Sequence, residues 1–290
     1  MKVRLPAALV LPAALVLLLT LAACGETPVD PGVGGIDHST APDEILVRIS
    51  YEGGFVPVEW TYSNFAFYSL LGDGTLIVPG AQIEIYPGPA LPAISSRQVN
   101  EAGTQAILEE VLAVTRDIPA DLNDLGFMSI ADASTTVITV SAGGVDRTIR
   151  AYALSELTER PDGMPEREYR ARLSLQELVA TLTGPTEWLP EGSLGPEGPY
   201  EASAARVFVG KHRAVDDLKQ EPMPWPLDAG LAAFGDPVPP GGMRCGVVEG
   251  EDWNTLRESA TAANQLTPWT DAGDRYSILF RPLLPDERGC

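Results

Sequence analysis

Histidine and cysteine are nearly missing from this chain, with two and three respectively in 290 residues. The shortage removes whole classes of chemistry. No H-E-x-x-H and no other histidine pair stands at metal-ligating spacing, so a catalytic zinc site is not expected. His38 lies in the stretch that reads as a tether, so a Ser-His-acid relay would have to use His212 in the basic cluster "KHR". No G-x-S-x-G supplies the nucleophile for one. Basic residues are the third shortage: 20 Lys and Arg face 40 Asp and Glu, a net charge of −20. Such a surface repels phosphate backbones, so nucleic acid is not an expected partner.

One long apolar run stands out, Leu5 to Leu21, behind the positive charges of Lys2 and Arg4. A basic start followed by an apolar stretch has the form of a secretory signal. Pro6 and Pro12 disfavour a continuous spanning helix. The run ends in Leu21-Ala22-Ala23-Cys24, which resembles the lipobox of bacterial lipoproteins. That resemblance implies removal of residues 1–23, a diacylglyceryl lipid on the Cys24 thiol, and a place on the outer face of the bacterial cytoplasmic membrane. Two acyl chains give stable anchoring where one gives marginal binding. Without residues 1–23 the charge becomes 18 − 40 = −22. Residues 24–43 are rich in Pro and Gly, with no periodic apolar face, and read as a flexible tether.

With Cys24 given to lipid, Cys245 and Cys290 remain, and an oxidising compartment makes them a disulfide. Beyond the tether the chain alternates hairpin signals with helices. "ILVRISY" (45–51) reads as a strand, and residues 65–80 as a hairpin around Gly72-Asp73-Gly74. Asn100 is placed to cap a helix reaching about Thr115, with Ile107, Leu108, Val111 and Leu112 as its apolar stripe. Residues 135–154 form the clearest hairpin, turning at Gly143-Gly144. A helix over 165–183 starts with Pro165 in its first turn and turns Tyr169, Leu173, Leu175, Leu178, Val179 and Leu182 inward. The Pro/Gly-rich stretch 184–200 reads as a linker or a surface loop. Strands follow near 204–210 and 244–249, a helix over 251–264 with Trp253, Leu256, Ala260 and Ala263 inward, and a strand at 275–281. The expected fold is α+β: hairpin-rich antiparallel sheets with two or three packed helices, and a C-terminal β-α-β element closed by the disulfide. Regions 44–183 and 184–290 are its two parts, separate or merged in one domain. Four of the five tryptophans follow residue 187, which points to a core in the second part.

Carboxylates are the remaining reactive groups, and forty of them make chance pairs inevitable. One stretch has a ligand-like spacing. In "DLNDLGFMSIAD" (121–132), Asp121, Asn123 and Asp132 occupy the first, third and twelfth positions of a calcium loop, with Gly126 at the sixth. Leu125 stands where a fifth-position oxygen is needed, so an Asx-rich turn is the expectation and no cofactor beyond the lipid is called for. Trp225 and Trp269 offer stacking surfaces for sugars or peptides, against the ordinary role of filling a core.

The stretches "ADASTTVITVSAGG…YAL", "NQLTPW" and "FRPLLPDERGC" resemble a family of uncharacterised secreted or lipid-anchored proteins of high-GC bacteria. The resemblance implies a location and a C-terminal cysteine pair, and carries no catalytic residues. The leading reading is a non-catalytic binding or envelope-interaction module whose partner is an envelope protein, a glycan or a small solute. The alternatives are a carboxylate-based envelope hydrolase and a solute-binding lipoprotein.

Overall fold

The structure, a computed structural model, describes residues 35–290 apart from 185, 216 and 241. The expected signal, Cys24 and most of the expected tether lie outside the described residues. The chain forms an α+β fold in which the strands gather into two mixed sheets.

The larger sheet comes first in the sequence. It contains β1 (Ile45–Gly53), β2 (Tyr68–Leu71), β3 (Thr75–Pro79), β4 (Ile94–Gln98), β5 (Asp121–Leu122), β6 (Ser134–Ala142), β7 (Val145–Tyr152) and β8 (Gly198–Pro199). Their spatial order is β5-β7-β6-β1-β2-β3-β4-β8, antiparallel except for the short β5–β7 pair. Both expected hairpins form, and Gly143 and Gly144 take the positive φ that a tight β6–β7 turn needs. A short helix α1 (Val58–Ser63) joins β1 to β2, and α2 (Glu101–Thr115) follows β4. Asn100 caps α2 by accepting a hydrogen bond from the Gly103 N–H at 3.1 Å, and the predicted stripe is buried against β1, β6 and β7.

Helix α3 (Glu166–Thr183) covers the same core, with two departures from expectation. Pro165 is extended and stands just before the helix instead of in its first turn. Leu173 is exposed, and Arg172 is buried in its stead. The 3.6-residue period explains the exchange. Residues 172, 175, 178 and 182 share one face, and residue 173 lies about 100° from the first of them.

The second sheet contains β9 (Ala204–Lys211), β10 (Met223–Pro224), β11 (Asp236–Val238), β12 (Met243–Glu249), β13 (Trp269–Asp271) and β14 (Asp274–Pro282), in the order β10-β13-β14-β9-β12-β11. Central β9 is antiparallel to both β12 and β14. Those two are therefore parallel with β9 between them, and α4 (Gly250–Thr261) joins them into the predicted β-α-β element. Alternation sorts the faces: Ala205, Val207, Val209, Ile278 and Phe280 meet Trp253, Leu256 and Ala260 of α4. Trp225 and Trp269 complete this core, stacked edge to face at 6.0 Å, so both fill it and neither is an open stacking platform. The opposite face receives Tyr62 of α1, whose ring lies 4.9 Å from that of Phe208.

The Cys245–Cys290 disulfide forms, with Cα atoms 6.0 Å apart. Between β14 and the chain end, residues 283–290 touch both sheets. Arg48 on β1 donates two hydrogen bonds of 2.7 Å to Asp286, and Arg281 on β14 grips Glu287 in the same forked way. Leu284 packs with Leu71, Ile77 and Ile94 of the first sheet.

The tether and the linker differ from expectation where they meet this framework. Residues 36–43 lie on the domain: Gln105 bonds both the N–H and the carbonyl of Ile36, and the side chain of His38 is buried beside Glu101. Ile36 itself packs on the core, which fixes the segment. Residues 184–200 supply β8 and the buried Ser193, so the first sheet extends past the expected 183/184 division. Residues 36–290 form one compact unit. Among the described residues no helix is long and apolar enough to cross a membrane.

Candidate interaction surface

Strand direction brings four connections to one end of the first sheet. β1, β3, β5 and β7 all finish there, so residues 54–67, 80–93, 123–133 and 153–165 leave from the same edge. Thirteen large apolar side chains are exposed among the described residues, and nine belong to the first three of these connections. Phe55 and Phe127 are the extremes at 86% and 87% exposed, followed by Tyr86, Ile83 and Ile85. Singly scattered exposed apolar residues are ordinary on a protein surface; here nine share one end of the sheet.

The loops are tied down. The Phe55 N–H donates to the Asp132 carbonyl at 3.0 Å, and the Phe127 N–H to the Asp162 carbonyl at 2.9 Å. Tyr152 donates its hydroxyl to the Ile130 carbonyl at 2.7 Å. Beneath them, Arg172 of α3 donates to the carbonyls of Tyr152, Leu122 and Asp124, and Gln176 to those of Leu154 and Leu157. Burial lowers the Arg172 pKa, with Glu168 and Asp124 opposing that shift. A satellite core of Leu125, Ala153, Leu157 and Met164 fills the space under the loops. Gly126 is required where it stands: its φ is +65°, and a Cβ there would lie 2.7 Å from the Asp162 carbonyl oxygen. The two outermost phenylalanines are thus held in place by backbone bonds while their rings face solvent.

Between the first and third loops lies a cleft of about 440 Å³, lined by Tyr51, Phe55, Val56, Trp60, Asp132, Ser155 and Glu156 among others. Tyr51 and Trp60 are half-buried walls, and Asp132 and Glu156 are exposed. Burial, then the Glu156 carboxylate, raises the Tyr51 pKa. Asp132 holds a positive φ of 64°, a conformation Asp tolerates better than most residues. Among the described residues neither Asp132 nor Glu156 has a salt-bridge partner. The four connections together carry seven carboxylates and one base, Arg160, which is engaged with Glu166 at 3.3 Å. Solvent reaches both cleft carboxylates.

Of the residues singled out from the sequence, Asp132 alone reaches this cleft. Asp121 sits in β5 opposite Arg150 and caps the Asn123 N–H at 2.9 Å, while the Asn123 side-chain oxygen accepts from the Tyr152 N–H. Leu125 is buried under the loop. Among the described residues no group of three or more His, Cys, Asp or Glu is placed to hold a metal ion. His212 stands beside Ser277 on the second sheet, away from the cleft. Phe55 and Phe127 carry a signal that periodicity does not register: each follows a glycine and precedes an aliphatic residue, "GFV" and "GFM", between turn residues. No family model matches the chain, and neither a curated protein nor a solved structure is found to match it.

Proposed function

We propose that the protein is a lipid-anchored, non-catalytic binding module of the bacterial envelope, held through Cys24 and engaging a protein partner with the loop-bearing end of its first sheet. The observation that carries this reading is the gathering of nine exposed apolar side chains on three bonded loops at that end. Exposed aromatic residues on a preorganised frame lose little conformational freedom on binding, the property that makes them interface anchors. The described chain enters from the other end. Ile36 lies by the β6–β7 turn, where the Asp37 carbonyl accepts from the Gly143 N–H.

Native electrophoresis of the protein extracted from membranes in mild detergent tests the reading. Wild type is expected to migrate in a complex larger than the free chain, and the double variant Phe55→Ser/Phe127→Ser as the free chain. Because both rings are in solvent, the double variant should keep its stability within about 0.5 kcal/mol per site. A complex that survives the double substitution would remove this surface from consideration. Labelling with radioactive palmitate, lost in Cys24→Ser, tests the anchor separately.

A further inference from the structure

The loop-bearing end has a charge as well as an apolar character, and the two together specify its partner. Resting on the interaction reading above, we infer that the partner is a basic polypeptide segment, and that one of its arginine or lysine side chains enters the cleft between Tyr51, Trp60, Asp132 and Glu156.

The cleft offers what a side-chain cation requires. Aromatic rings attract a cation through their quadrupole, and Tyr51, Phe55 and Trp60 are among the residues that line the cleft. Carboxylates add charge-assisted hydrogen bonds, and Asp132 and Glu156 have no ion-pair partner among the described residues. Glu156 and Tyr51 line the same cleft, so carboxylate and ring address the same space. An anionic ligand has nothing to bind: the single base on the four connections, Arg160, is paired with Glu166.

The extent of the surface favours a polypeptide over a small ammonium compound. Phe127, Ile83 and Tyr86 are exposed on other loops of the same end and do not line the cleft, so a partner must continue beyond it. An anionic membrane surface is disfavoured by the seven carboxylates on the four connections. A segment alternating basic and apolar residues satisfies both features, the cation in the cleft and the apolar groups on the phenylalanine tips.

The test uses the full chain in non-ionic detergent and fluorescein-labelled decapeptides of alternating arginine and leucine, read by anisotropy. Two control peptides replace each arginine with neutral citrulline or with glutamate. The arginine peptide is expected to bind saturably, with the citrulline peptide at least tenfold weaker and the glutamate peptide silent. Asp132→Asn/Glu156→Gln should weaken the arginine peptide at least tenfold, with an unchanged melting temperature. Equal binding of the arginine and citrulline peptides would overturn the inference, as would full affinity in the carboxylate variant or no binding of the arginine peptide. The two readings fail differently. If the native complex is lost with the phenylalanine variant yet unaffected by the carboxylate variant, the surface stands and the cationic partner falls. If the phenylalanine variant leaves the complex intact, both fall.

Discussion

Arg172 supports the loop-bearing end of the first sheet from inside the fold. Its guanidinium is buried, and it supplies donors to three carbonyls of the chain segments from which the loops spring. Arg172→Leu leaves those carbonyls without donors and Glu168 without its neighbouring cation. The expected cost is about 3 kcal/mol, read as a lower urea midpoint. Arg172→Lys should recover only part of it, because an ammonium lacks the planar fork. Tyr200 gives a second prediction at this scale. Burial, then the Glu287 and Asp286 carboxylates, pushes its pKa up to about 12, and its hydroxyl donates to the Leu283 carbonyl. A raised phenol pKa favours the folded state while the unfolded phenol is protonated, below about pH 10. That stability is lost as pH climbs from about 10 through 12. Wild type should therefore lose stability over this range in thermal melts, and Tyr200→Phe, less stable at neutral pH, should lose less.

At the scale of elements, the C-terminal segment behaves as a strap. Arg48–Asp286 and Arg281–Glu287 fasten it to one sheet each, and the Cys245–Cys290 bond fixes its end across 45 residues. The chain-entropy account gives such a loop about 4 kcal/mol. Cys245→Ser/Cys290→Ser is expected to melt roughly 8–16 °C lower than wild type. An unchanged midpoint would mean that the ion pairs alone secure the strap. The hairpins, the Asn100 cap and the α2 stripe were legible in the sequence because each depends on residues within a few positions of one another. Arg48 and Asp286 are separated by 238 positions, and no local pattern announces their meeting. Arg172 was hidden for a different reason: a charged residue on an apolar face contradicts the hydrophobic pattern until the carbonyls it serves are in view. Phe55 and Phe127 were passed over because periodicity measures burial, and their significance lies in being exposed.

At the scale of the molecule, two sheets share one strap and one compact unit, and nine of the thirteen exposed large apolar residues among the described ones lie at one end of the first sheet. Shared contacts through Leu284, Tyr62 and the two Arg–carboxylate pairs predict one unfolding transition, with calorimetric and van't Hoff enthalpies in agreement. The same arrangement separates what the fold needs from what binding needs. The two helix-covered cores hold the sheets, and the loop tips are free to meet another surface. The most direct measurement of that claim is photo-crosslinking in intact cells, with benzoyl-phenylalanine at position 55 or 127, and at the exposed positions 173 and 247 as controls. The account predicts the same discrete protein adduct from positions 55 and 127 and none from 173 or 247. Adducts from the control positions with silence at 55 and 127 would contradict it.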